Sequence, residues 1–429
     1  MAEIKPFKGL RYTEKAGEIK NLCCPPYDIV SGEQRQKLIE KNEYNIIRLE
    51  LPTTEAGEDI TPYREAAGTL RSWINDSVLK RDEKEGIYIY EMEFSAFGKS
   101  HKVKGFVSLV KAEPFEKGII LPHEETLSKA KADRFNLMKA TGCNFSQIYS
   151  LYTDEDGSVF DIIKKASEKA PTVEFSDDEN VIHRMWVVDD PFIIKSIAEK
   201  MADKKLYIAD GHHRYETALN YRSYVRDNLD ETGSSDYVTM MLVNMENDGL
   251  AVFPTHRIVR GLKSFDYKGV CERCSEYFEI TPYLNREKGE TGLEEAYKNG
   301  EKAFVMFIGD NNYTLLKLKD CSVMAELLPD KSEALRGLDV SVLHTLILER
   351  IFGIDKENMA KQINLTYTRS ADEALAEVDG QRASCCFLLN PTRVEEIKNV
   401  AAAGEKMPQK STYFYPKLTT GLVMNKIFD

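Results

Sequence analysis

Residues 206–219 read LYIADGHHRYETAL, and no other stretch of the chain gathers so much chemistry into fourteen residues. Leu206, Tyr207 and Ile208 form a short apolar run that predicts a buried strand. Tyr215, Ala218, Leu219, Val225 and Leu229 then recur at helical spacing, with Gly211 between the two patterns. The expectation is a strand, a tight turn and a helix. Such a junction leaves unpaired backbone N–H groups at the helix start, and a glycine lets the main chain approach a ligand with no Cβ in the way.

A helix start of this kind favours anions through its amides and its dipole. Arg214 offers a two-pronged contact to phosphate oxygens, and His212 and His213 offer donors or proton carriers near neutral pH. Asp210 supplies a carboxylate for Mg²⁺ or for orienting a histidine. Taken singly, each has a plainer reading, Asp210 as a helix cap and the histidines as satisfied surface groups. Together at one glycine turn they point to a phosphate site.

At 429 residues the chain is long enough for two or three domains. We expect an N-terminal α+β region over 1–112, a core over 113–261, and a C-terminal α+β domain over 262–429 whose final loop returns to the site. No apolar run is long enough to span a bilayer, and MAEIKPFKGL has neither a signal nor a transit pattern, so the expected location is the cytoplasm, without membrane contact. A net charge of −12 argues against nucleic acid as a partner, because affinity for its backbone comes mostly from clustered Lys and Arg. The pair Cys271 and Cys274 has no second ligand pair at zinc-ribbon spacing, so the cysteines are expected to be reduced core thiols.

Outward from the central motif, residues 21–31, NLCCPPYDIVS, form a proline-stiffened loop carrying Tyr27 and Asp28, which suits a pocket wall and a plain buried turn equally well. Helices are expected over 32–40 and 62–79, and strands over 45–51, 86–94 and 102–110. In residues 119–152, Pro122 and His123 end a strand, and Glu124 and Glu125 stand where a helix begins, a position where acidic residues often do no more than complement the dipole. Lys129, Lys131 and Arg134 make a short basic cluster. Residues 236–245 and 249–259 are expected to pair as an antiparallel hairpin turning at Asn247, Asp248 and Gly249, with His256 and Arg257 in its second strand. Farther on come strands over 277–282, 303–308, 313–318 and 384–389, and helices over 340–351 (carrying His344) and 392–402. The loop MPQKSTYFYP at 407–416 offers Lys410, Ser411 and Thr412 to phosphate or carboxylate.

The motifs CPPYD, LPHEE, DGHHR and MPQKSTYFYPK, in that order from Cys24 to Lys417, resemble a widespread uncharacterised bacterial family that shares the set. Three of them also resemble archaeal free-serine kinases of the ParB and sulfiredoxin superfamily. That resemblance implies an α+β fold with a ParB/sulfiredoxin-like core and a strand-turn-helix phosphate site. It implies a kinase that moves a phosphoryl group from ATP or ADP to the hydroxyl of a small amino acid, free L-serine foremost, with Mg²⁺. Glu124 is then the base, Asp210 and His213 complete the catalytic set, and Asp210 is the metal ligand. Gly211, His212, His213 and Arg214 hold the nucleotide phosphates, and His123, Lys410, Ser411, Thr412, Tyr27 and Asp28 bind the substrate. This chain is longer than those kinases and has QKST where they carry Thr-rich variants. The alternative is a ParB-like nucleotide switch or DNA-associated protein, which would need a basic helix-turn-helix that this acidic chain lacks. Sulfiredoxin chemistry would need a cysteine where His212 stands, and no Walker motif occurs. A homo-oligomer is compatible with the sequence.

Overall fold

Leu206, Tyr207 and Ile208 lie in the strand Leu206–Asp210, and the helix His212–Asn228 follows after one residue. The computed structural model describes residues 2–53, 59–126, 128–229, 233–262 and 264–428. By internal contacts the chain divides into two units. The larger comprises Met1–Pro122, Thr126–Ala251 and Pro416–Asp429, and the smaller comprises His123–Glu125 and Val252–Tyr415.

In the larger unit, Leu206–Asp210 pairs in parallel with Ile120–Leu121 and antiparallel with Ile148–Tyr152. The sheet continues through Tyr237–Asn244, Lys99–Lys111, Ile87–Ala96 and Ile182–Val188 to Val173–Ser176, and Ile4–Lys5 also joins Lys99–Lys111. Tyr237–Asn244 joins Ile148–Tyr152 in parallel, so the sheet is mixed and the fold is α+β. Alternate residues such as Ile87 and Ile89, Leu206 and Ile208, and Met240 and Leu242 fill one core together with Tyr215 and Ala218 of the central helix. That burial fixes the face the helix turns to the sheet. A second core gathers Leu22, Ile46, Leu49, Tyr63, Leu70, Trp73 and Phe145.

Two expectations are corrected here. Residues 45–51 are not a strand, since Ile47–Glu50 is a helical turn. Asn45 accounts for it: its side chain accepts from the Ile47 N–H at 3.0 Å, a local bond that competes with an extended ladder, and donates to the distant Asn21 carbonyl at 2.8 Å. The hairpin over 236–259 also does not form. Tyr237–Asn244 has both its edges filled, by Lys99–Lys111 and by Ile148–Tyr152, and has no free edge for the next strand. The turn itself is present, with the Gly249 N–H bonded to the Asn247 side chain at 2.8 Å.

The smaller unit carries an antiparallel sheet in the order Phe278–Tyr283, Tyr313–Leu318, Ala303–Phe307, Cys385–Leu388, His256–Val259, Leu365–Thr368. Leu293, Ala296, Ala374, Leu375 and Val378 bring helices Arg286–Lys298 and Ala371–Asp379 onto it. The helix expected over 340–351 is a short α-turn, Asp339–Val342, continued as the π-helix Leu343–Glu349. Among the described residues no helix is long and apolar enough to cross a membrane.

Candidate functional site

The turn after Leu206–Asp210 is made by Gly211 at φ 93°, a left-handed conformation that glycine adopts without a steric penalty. A Cβ at this position would also stand 2.9–3.0 Å from the Arg214 guanidinium, so glycine is needed for space as well as for torsion. Arg214 donates from Nη2 to Asp210 Oδ2 at 2.6 Å and from Nη1 to the Gln147 carbonyl. Lys417 donates to the other oxygen, Asp210 Oδ1. One largely buried carboxylate therefore faces two cations. Burial opposes the ionisation of Asp210, but the Lys417 ammonium and then the Arg214 guanidinium outweigh it and hold its pKa down at about 2.

This arrangement departs from two expectations. Both terminal nitrogens of Arg214 are engaged inside the protein and the residue is 8% exposed, so its direct partners are the Asp210 carboxylate and a carbonyl in place of a two-pronged phosphate contact. Mg²⁺ does not fit on Asp210, because each carboxylate oxygen already binds a cation. An anion suits it better. His212 is buried and His213 half-buried, both in the first helical turn.

The CPPYD loop belongs to the same unit. Cys24 exchanges backbone bonds with Thr420, at 3.1 Å and 2.8 Å, three residues beyond Lys417. Tyr27 lies over the Arg134 guanidinium at 4.0 Å, and burial pushes its phenol upward while Arg134 and, more weakly, Arg214 draw it back. Asp28 is exposed. Arg134 is buried, bonded to the Glu50 carbonyl at 2.6 Å and through Nε to Asp133 at 2.7 Å. Glu50, 2% exposed, has its pKa raised by burial against the pull of Arg134, and accepts from Ser146 Oγ at 2.8 Å. A cavity of about 40 Å³ is lined by Glu50, Arg134, Ser146 and Arg214. The basic cluster expected at 129–134 is split up: Arg134 is internal, Lys131 pairs with Glu216 at 2.7 Å, and Lys129 is exposed. Lys417, Glu50 and Gln147 were not singled out from sequence. Only Lys417 carried a signal, as the last residue of MPQKSTYFYPK.

In the smaller unit, Glu124 does not start a helix. It forms a parallel bridge with Met407, and the next helix begins at Ser128. The Met407 N–H donates to the His123 carbonyl at 2.7 Å, and His123 Nε2 lies 2.9 Å from Thr412 Oγ1. LPHEE and MPQKST are thus neighbours, 283 residues apart from Glu124 to Met407 in sequence. Glu124 is half-buried. Lys410 is exposed with φ 57°, a left-handed residue without glycine's freedom. Ser411 is turned inward, its Oγ donating to the Pro408 carbonyl and its own carbonyl accepting from Thr392 at 2.8 Å.

Among solved structures the chain is similar to a conserved hypothetical protein from Pyrococcus furiosus, with a TM-score of 0.33 and 16% identity over 71% of this chain and 93% of that one. It is similar to a free serine kinase in complex with AMP, with a TM-score of 0.35 and 15% identity over 71% and 89% of the two chains. SbnI from Staphylococcus aureus, truncated at its C-terminus, gives a TM-score of 0.36 and 12% identity over 75% and 87%. At these scores the likeness says nothing about activity. No curated protein matches the sequence. A family model matches residues 4–341, and the chain belongs to that family, described as Protein of unknown function (DUF1015).

Proposed function

We propose that this chain is a phosphotransferase that moves the terminal phosphoryl group of ATP or ADP to the hydroxyl of a small amino acid, with free L-serine as the foremost acceptor. The observation that carries the reading is the Asp210 carboxylate held between Lys417 and Arg214 at the start of a seventeen-residue helix. Two cations beside the first turn of a long helix, where the helix dipole is positive, make an environment that phosphate oxygens suit. The strand-turn-helix at 206–228 takes the part of a ParB/sulfiredoxin-like phosphate turn in this proposal, with Gly211 and His212 supplying backbone donors and His213 a side-chain donor.

Phosphoryl transfer asks mostly for positioning and charge neutralisation. Glu124 is assigned as the base. Its carboxylate accepts the proton of the acceptor hydroxyl, the oxygen attacks the terminal phosphorus, and the bond from phosphorus to the bridging oxygen breaks. The nucleotide leaves one phosphate shorter. The assignment is supported by a half-buried carboxylate on an extended segment beside His123 and Thr412, whose contact fixes the local backbone. Lys410 and Thr412 are assigned to the acceptor's carboxylate, while the inward turn of Ser411 makes it a support of that loop. Tyr27 and Asp28 remain assigned to the substrate side, on the loop tied to Thr420.

The test is calorimetric binding of ATP and ADP to the full chain, then phosphorus NMR with L-serine, other hydroxy amino acids and polyols. Formation of O-phosphoserine with loss of one nucleotide phosphate supports the reading. Nucleotide binding without transfer to any acceptor would replace it with a nucleotide-binding switch.

A further inference from the structure

Arg257 lies outside the motifs CPPYD, LPHEE, DGHHR and MPQKSTYFYPK and is 0% exposed, among the largest fully buried side chains. A buried guanidinium is ordinarily matched by a carboxylate, because desolvating an unpaired charge costs several kcal/mol, of order. Among the described residues no carboxylate forms an ion pair with it. Its bonds go to main-chain carbonyls, from Nη1 to Thr255 and from Nη2 to Lys410 at 3.2 Å, and the Tyr367 ring lies 5.5 Å away. Its Nε has no hydrogen-bond partner. Two imidazoles stand nearby and stay neutral: burial, then the Arg257 charge, holds His256 down at about 4, and the same causes hold His344 well below the usual imidazole range. His344 comes from the π-helix Leu343–Glu349, an element that recurs at functional sites, and its Nε2 also lacks a partner.

An apolar side chain of the same volume would fill this space at lower cost. What the guanidinium does that an apolar group cannot is grip the Lys410 carbonyl, in a loop whose backbone turns left-handed at a non-glycine residue. Lys410 at φ 57° is strained, and such a conformation persists only where the surroundings over-determine it. Three bonds to loop carbonyls do so: Arg257 on Lys410, Thr392 on Ser411, and Ser411 Oγ on Pro408. Only the first brings a positive charge.

We propose that Arg257 is a positioning residue for the acceptor: by holding the Lys410 carbonyl it sets the left-handed turn that presents the Lys410 ammonium and the Thr412 hydroxyl to the carboxylate of an amino acid. This rests on the acceptor role proposed above for that loop. An unpaired buried cation beneath the loop also favours an acceptor that carries a carboxylate over one of similar size that lacks it.

The experiment uses the full chain with Arg257→Gln and Arg257→Lys. It measures KM and kcat for L-serine and for ethanolamine, nucleotide Kd, and amide hydrogen exchange of residues 409–412. The expected result for Arg257→Gln is a KM for serine raised about tenfold or more, with kcat changed by less than about threefold and nucleotide Kd unchanged. Exchange at 409–412 should quicken by roughly tenfold while the strand Cys385–Leu388 keeps its protection. Arg257→Lys should fall between, since an ammonium reaches one carbonyl, and the preference for serine over ethanolamine should shrink in both variants. Unchanged KM and unchanged exchange would overturn the proposal, as would equal losses in nucleotide affinity and in Cys385–Leu388 protection, which mark a merely structural role. A wild type that phosphorylates no acceptor removes the proposed function and the acceptor role with it, while the exchange measurement still upholds or overturns the hold on the turn.

Discussion

Lys417 donates to Asp210 Oδ1 across 207 residues of sequence, while Arg214, four residues from Asp210, takes the other oxygen. The carboxylate is the hinge of this triad, since removing either cation leaves it half-compensated in a buried setting.

Lys417→Met should therefore weaken nucleotide affinity by roughly 1.5–3 kcal/mol, the scale of a lost charged hydrogen bond, and lower the unfolding midpoint as well. Titration calorimetry with ADP alongside urea unfolding separates the two effects. An affinity equal to wild type in a folded variant would remove Lys417 from the phosphate site.

Asp210 also dictates an acid limit to stability. Its pKa in the folded chain is depressed from 3.8 to about 2, so its contribution is fully present above the unfolded value and is lost as pH falls through the folded one. On the order of 2 kcal/mol should disappear between about pH 4 and pH 2. Asp210→Asn should lack this component. Unfolding free energies of the two proteins should converge across that window, and parallel curves would show that the ion triad does not stabilise the fold.

Glu124→Gln keeps the size and hydrogen-bonding capacity of the side chain while removing the base. Turnover should fall on the order of 10² to 10⁴-fold, with nucleotide Kd hardly altered. Single-turnover phosphorylation of serine measures the first and calorimetry the second. Full activity in the variant would take Glu124 out of the mechanism.

Gly211→Ala meets two obstacles, a positive φ and the Arg214 guanidinium 2.9–3.0 Å from the new Cβ. The expected loss is about 1–3 kcal/mol of stability, with weaker phosphate binding as Arg214 shifts. A variant as stable as wild type in urea would mean that the turn relaxes freely.

The strand and helix around Asp210 were legible because their signals are local: the short apolar run Leu206, Tyr207 and Ile208, helical spacing from Tyr215 onward, and a glycine where the backbone must turn left-handed. The strands Ala303–Phe307 and Tyr313–Leu318 were likewise visible from period and punctuation. Residues 45–51 misled because an apolar run without clear alternation suits either state, and the side-chain bonds of Asn45 decided between them. The partners of Tyr237–Asn244 were beyond reach of a local reading. A neighbouring hairpin strand and the distant Lys99–Lys111 and Ile148–Tyr152 offer the same hydrogen bonds, and only the tertiary fold selects the distant pair, which leaves Tyr237–Asn244 inside the sheet and buried almost throughout. The same holds for charge. The sequence determined that a carboxylate, a glycine, two histidines and an arginine share one turn. Tertiary structure decided that the arginine serves the carboxylate, that Lys417 completes it, and that Arg257 reaches Lys410, because an ion or a carbonyl takes as its partner whichever group the fold has desolvated beside it.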